Sequence, residues 1–337
     1  VARGAAIDVS GRDVSFFNVA RGTQGGQVNL SSNNGAVTVE GNAATPAQAV
    51  VKLAGAAGAD GGTLTVKAVN GEADLGALRL EGTAVAGADG HRGDGARVRI
   101  DANTLPEDAN GLLSLSALGR ALKDGGVDGE ITVRTRSGNL DVVAGDEIEA
   151  HQVSLTADGG TLTVAGRVSA SGEAGGRVAL NGRSVTLADG ARVEARSTAA
   201  GAEGGRVEIG AATVVDETLA GRIDLVSGSV IDVSGGTNGR GGQVHLRAQR
   251  QGGGAVRAND NKVAVEALDS TITGARETTL EAVSVYAGKT TLDTSTTNAG
   301  ATLGLEAIKA DNTSFATRHA TIKTDLSGRA QDNNFHL

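Results

Sequence analysis

The chain has 337 residues, a formal net charge of −8, 52 Gly, only 2 Pro, and no Cys, Met or Trp. The missing cysteines exclude disulfides and thiolate metal sites, and an aromatic content of 1% excludes an aromatic core, so Val, Leu, Ile and Ala must fill it. The acidic balance argues against nucleic acid or an anionic membrane as partner, since both call for a basic surface.

Hydrophobic residues at 39% and charged residues at 21% fit a folded chain rather than a disordered one. No apolar run approaches the roughly 18 residues of a membrane span, and the opening residues are not expected to be a secretory leader. A chain that begins at Val1 and contains no Met is expected to be a processed or excised piece.

Along the chain the first element is Gly4-Ala5-Ala6-Ile7-Asp8-Val9-Ser10-Gly11, a short alternating strand closed by a turn. Next comes Gly25-Gly26-Gln27-Val28-Asn29-Leu30, a Gly pair followed by polar-apolar alternation. The block returns at Gly61-Gly62, Gly159-Gly160, Gly175-Gly176, Gly204-Gly205 and Gly241-Gly242, with looser copies from Gly95, Asp128 and Ala220. Period-two alternation after a Gly corner predicts a half-buried strand, with Val178 and Leu180 inward and Arg177 and Ala179 outward. Further short strands, such as Arg183–Leu187 and Gly190–Ala195, lie between the blocks.

These strands are too short for long hairpins, and stacked parallel coils bury their apolar face continuously. The block spacings suggest a coil of roughly 16 to 20 residues, hence about fifteen to eighteen coils and a length on the order of 70 to 90 Å. One segment, within about 105–124, departs from this pattern. Leu112, Leu115, Leu118 and Leu122 fall at helical spacings and predict a short helix near 112–122.

Gly becomes scarce after Gly252-Gly253-Gly254, which divides the chain into a Gly-rich part, 1–257, and a Gly-poor, Thr-rich part, 258–337. The second part alternates at Val263 and Val265, at Leu280, Val283 and Val285, and at Leu292, Leu303, Leu305 and Ile308. It reads as continued β-structure ending in a polar tail, Ser327–Asn334.

The Gly-Gly-x-Val-x-Leu blocks alternate with Gly228-Ser229-Val230-Ile231-Asp232-Val233-Ser234-Gly235-Gly236, Gly4–Gly11 and Gly166-Arg167-Val168-Ser169-Ala170-Ser171-Gly172. In this the chain resembles the filamentous-haemagglutinin-type exoproteins of two-partner secretion. The resemblance is clear over about 1–257 and looser beyond. It implies an all-β, right-handed parallel β-helix, an elongated rod carried through a bacterial outer membrane by a dedicated transporter. The implied role is structural or adhesive at the cell surface, as adhesin, biofilm scaffold, haem-acquisition protein or toxin stalk, with a host-cell, matrix-polysaccharide or neighbouring-cell receptor. The family's amino-terminal secretion domain carries Asn-Pro-Asn motifs. Here Pro46 and Pro106 stand in Thr-Pro-Ala and Leu-Pro-Glu, so the resemblance points to an interior or carboxy-terminal portion. Gly4–Gly11 matches an element that ends an interior coil, so Val1 enters partway through a coil, and head-to-tail self-association through that end is expected.

The competing class is a β-helical polysaccharide lyase or glycosidase. Its candidate residues are Asp146, Glu147, Glu149 and His151: with Ile148 and Ala150 inward, Glu147, Glu149 and His151 share a solvent face where acid-base or metal chemistry could assemble. Alternating acids also simply solvate an outer face, and Tyr286 alone cannot supply the stacking platforms of a sugar cleft. The non-enzymatic reading is therefore preferred.

His91, His151, His245, His319 and His336 are far apart with no ligand pair at short spacing, so neither metal nor cofactor is expected. Arg92-Gly93-Asp94 spells the tripeptide that integrin ligands present on an exposed turn, and it is the candidate binding element, with a plain turn as the alternative. No Gly-Lys-Ser/Thr follows a Gly-rich stretch, so the glycines read as coil corners rather than phosphate cradles.

Overall fold

The computed structural model describes residues 1–17, 19–40, 49–75, 78–107, 115–213, 221–251, 262–286, 288–296, 299–318, 320–322 and 335–337. The chain is mostly β, with 48% strand and 9% helix, arranged in long parallel sheets that stack in a solenoid-like manner without closing into a barrel.

The coils contribute strands to three faces. The first face is a path of ten strands, from Gln27–Ser31 through Thr63–Asp74, Arg97–Thr104, Glu130–Thr135, Gln152–Val164, Arg177–Leu187, Arg206–Ala211, Gly242–Gln251 and Ala275–Val283 to Phe335–His336. The second face holds Val37–Thr38, Leu140–Val142, Ile223–Leu225 and Val265–Leu268 beside the far ends of the longer strands. The third face comprises two sheets: Ala6–Asp8, Ala49–Lys52 and Leu78–Glu81, then Glu147–Glu149, Arg167–Ser169, Arg192–Glu194, Val230–Asp232 and Thr271–Thr273.

The register corrects the expected coil length. Gln27, Thr63, Arg97, Glu130, Gln152, Arg177, Arg206 and Gln243 are in-register neighbours at separations of 36, 34, 33, 22, 25, 29 and 37 residues. Coils are thus longer and fewer than the 16 to 20 residues and fifteen to eighteen turns read from block spacing. The Gly159-Gly160 block misleads because Thr161–Val164 lies around the corner on the second face, paired with Ser184–Leu187. The Ala220 copy, Ile223–Leu225, belongs to that face as well.

The Gly pairs have a steric cause. Arg206 N donates to Gly176 O at 2.9 Å, and Gln243 N donates to Gly205 O at 3.0 Å. A Cβ on Gly176, Gly205 or Gly242 would run into the carbonyl oxygen of the coil beneath, respectively that of His151, Gly176 and Gly205. At these three corners a residue without a side chain lets successive coils approach this closely.

Inside, the core is an aliphatic column. Val178, Leu180, Val207, Ile231 and Leu246 are fully buried, and Phe315 is the one aromatic in the core of the described residues. Ala179 is also buried although its place in the strand is an outward one, since a methyl between Ser154 and Glu208 is shadowed by longer neighbours.

The expected helix exists as α1, Ser116–Asp124, with Leu115 at its N-cap and Leu122 buried; Leu112 lies outside the described residues. α1 occupies the third-face position of its coil, between Leu78–Glu81 and Glu147–Glu149, and so divides that face into its two sheets. Gly119 fits against Ile148 and Gly125 against Leu80, where a Cβ would clash.

After Val283 the strand reading holds at Leu292 and Leu303 but not at Val285, Leu305 or Ile308. Leu305 and Ile308 belong to α2, Leu305–Thr317, and Leu292 is 63% exposed in a small two-stranded sheet with Thr302–Gly304. Leu305-Glu306-Ala307-Ile308-Lys309-Ala310 is rich in helix formers, and α2 buries Phe315 at the end of the core. The stack itself crosses the compositional boundary, since Gly242–Gln251 pairs in parallel with Ala275–Val283. The tail 327–334 lies outside the described residues, beyond which Phe335 and His336 pair with Thr278 and Thr279.

Candidate functional site

The first-face strands alternate inward aliphatics with outward polar residues, so charges from successive coils meet in rows. Arg99 binds Glu130 through two contacts, Nε at 2.8 Å and Nη2 at 2.6 Å. Arg134 lies 2.7 Å from Asp158, Arg136 lies 2.8 Å from Asp101, and Arg177 pairs with Glu208. His245 and Arg247 each approach Glu281 at 3.4 Å. Hydrogen bonds from Arg99 hold the Glu130 carboxyl below its ordinary pKa against the opposing pull of burial. For Glu208, burial pushes upward, yet Arg177 and Arg206 together leave it net lowered.

The third face carries the acids read as an enzyme candidate. Ile148 and Ala150 are buried, and Glu147, Glu149 and His151 face outward, as the alternation implies. Their surroundings are cationic. Glu147 is paired with both Lys123 of α1 and Arg167, and Glu149 lies 3.6 Å from Arg167. Asp146 accepts a hydrogen bond from Ser116 Oγ in the first turn of α1. His151 stands in the corner column between Gly129 and Gly176: its backbone N donates to Asp128 O at 2.7 Å, and its carbonyl accepts from Arg177 N at 3.0 Å.

Arg167 is the hub that sequence reading missed. It reaches Glu147, Glu149 and Glu194 and donates to Ser169 Oγ at 3.1 Å. The signal was present as two tripeptides of one pattern, Arg167-Val168-Ser169 and Arg192-Val193-Glu194, which the structure stacks in register.

Arg92, Gly93 and Asp94 are not at a tip. Ala86 bridges Arg92 in a small antiparallel excursion, with Gly87 N donating to His91 O at 2.7 Å, and the turn is made at Asp89-Gly90, where Gly90 has a φ of +79°. Arg92 Nη2 lies 2.7 Å from Asp128 Oδ2 in the next coil. Asp94 pairs with Arg97 at 3.2 Å, and its backbone N donates to Asp60 Oδ1 at 3.0 Å in the preceding coil. Gly93 packs on the backbone of Ala59 and Asp60. The Arg92 charge and the Asp94 backbone therefore tie this segment to the coils on either side.

Tyr286 donates to Asp311 Oδ2 at 2.8 Å, beside Arg250, which stacks 3.8 Å above the Phe315 ring; these groups seat α2 on the stack. Among the described residues no three His, Asp or Glu side chains converge to hold a metal ion, and no helix is long and apolar enough to cross a membrane. A recess of about 730 Å³ lies between α1 and the Leu78–Glu81 strand, away from the Glu147 network.

No family model, curated protein or solved structure matches the chain. Rows of opposite charge link coil to coil along two outer faces.

Proposed function

We propose that the chain is a stretch of a filamentous-haemagglutinin-like exoprotein, a right-handed parallel β-helical rod that acts as a non-enzymatic structural or adhesive element at the bacterial cell surface. On this reading an outer-membrane transporter of the two-partner type exports it. A host-cell, matrix-polysaccharide or neighbouring-cell receptor is then its target, and head-to-tail association of copies extends it.

The observation that carries the reading is the in-register parallel stacking of coil on coil, locked by inter-coil ion pairs. Such a stack grows by adding equivalent units and resists bending, as a spacer must. The acids that favoured an enzyme are held by Lys123 and Arg167, which suits a structural network better than a carboxylate pair kept apart for acid-base work.

Two measurements test this. Small-angle scattering of the purified chain should give an elongated particle, and a compact one would overturn the rod. Replacing Glu147, Glu149 and His151 together by Ala should leave binding of displayed protein to cells or matrix polysaccharide intact. Polysaccharide cleavage that vanished in the triple variant would overturn the non-enzymatic reading.

A further inference from the structure

Between the Ala6–Asp8 and Gln27–Ser31 strands the chain leaves the stack as a hairpin, Asp13–Phe16 paired antiparallel with Val19–Gly22. Phe17, one of 4 Phe in the chain, sits at its turn with 93% of its surface exposed and a φ of 53°. That left-handed conformation favours Asn or Gly, so a bulky residue there is held under strain. Val14, on the rung shared with Arg21, is 49% exposed.

We propose that this tip docks into the α1 recess of a second copy of the chain. The recess, about 730 Å³, has Leu78, Leu80 and Val85 on one side and Ala117 and Ala121 of α1 on the other, and Val85 is 54% exposed. This volume lies within the range of built ligand pockets and accommodates an aromatic ring.

Charge selects a second copy as the occupant. At the hairpin, Asp13 and Arg21 have no ion-pair partner among the described residues; at the recess, Arg120 and Asp124 have none either. The other lining carboxylate, Glu81, is already held by Lys52 at 3.3 Å and Arg79 at 3.2 Å. Insertion of Phe17 brings Arg21 to Asp124 and Asp13 to Arg120. Hairpin and recess both adjoin the corner between the third and first faces, so a two-fold axis beside that corner lets each copy enter the other and closes the assembly as a dimer. This lateral contact differs from end-to-end stacking and holds whether or not the chain is an exported adhesin.

Sedimentation velocity of the 337-residue chain over a concentration series is the test. The parent should dimerise, and Phe17→Ser should weaken dimerisation at least about 10-fold, the loss expected for one buried aromatic anchor. Ala117→Trp, which fills the recess from an exposed position of α1, should weaken it similarly. Arg21→Glu and Asp124→Arg should each weaken it, and the double variant should recover it, a result that misfolding cannot imitate. A chain that stays monomeric, or variants that associate like the parent, would overturn the contact. So would a monomer that binds phosphatidylglycerol vesicles through Phe17, since the tip would then belong to a bilayer.

Discussion

Arg167 directs two N–H groups at one oxygen of Glu194, Nε at 3.0 Å and Nη2 at 2.8 Å, and this carboxylate has only 7% of its residue surface exposed. The pair bridges adjacent coils of the third face, one strand apart. A carboxylate so withdrawn from water depends on its cation for compensation. Arg167→Leu should therefore cost about 2–4 kcal/mol, whereas Glu194→Gln, which leaves a neutral partner, should cost less. Denaturant unfolding of both variants checks the order; equal and negligible losses would show that the pair is only solvated surface charge.

The corner glycines should be intolerant of even one carbon. A Cβ at Gly205 would meet the carbonyl of Gly176, the acceptor of Arg206 N, so neither the strand nor the coil beneath can move without losing ladder bonds. Gly205→Ala should destabilise by at least about 2 kcal/mol, while alanine at the open turn position Gly190, where no atom lies within reach, should cost only the backbone strain of its φ of +82°. Thermal melts that ranked the two in the opposite order would refute the stacked-corner account.

Asp224 supplies a pH signature. Burial, then the like charges of Glu266 and Asp269, raise its carboxyl pKa in the folded chain. Raised above the unfolded value, the group favours folding when protonated, and that contribution is lost as pH rises through the folded pKa. Asp224→Asn should therefore be more stable than the parent at neutral pH, with the advantage fading below the ordinary aspartate range. Melting temperatures across that interval decide it.

Glu130 should behave with the opposite sign. Its pKa is lowered, chiefly by hydrogen bonds from Arg99, so its stabilisation is present above the unfolded glutamate pKa and is lost as pH falls through the folded one. Glu130→Gln should be less stable than the parent at neutral pH and should converge with it in acid. A gap that persisted unchanged into acid would mean that the loss arises from packing rather than charge.

Much of this molecule was legible before any coordinates. The Gly-Gly-polar-apolar blocks announced short strands with corners, the aromatic-poor composition announced an aliphatic core, and the alternation at Val178 and Leu180 gave their inward direction, because each depends on residues adjacent in the chain. The coil length was not legible: Gly159-Gly160 and Gly175-Gly176 look alike locally, and only the pairing of Thr161 with Ser184 places the first block on another face. The rung beginning at Gln152 escaped notice for the converse reason, having His151 where its neighbours have Gly. α2 left a fainter mark, in the seven-residue spacing of Ile308 and Phe315, obscured by the Thr-rich alternation before it. As for the candidate site, sequence placed Glu147, Glu149 and His151 on one outward face but could not supply Lys123 and Arg167, which stand 24 and 20 residues from Glu147 and meet it across coils. Local steric preference and periodicity are written into the chain itself, whereas the partners of a charge are chosen by which coils stack, and that is a property of the tertiary structure alone.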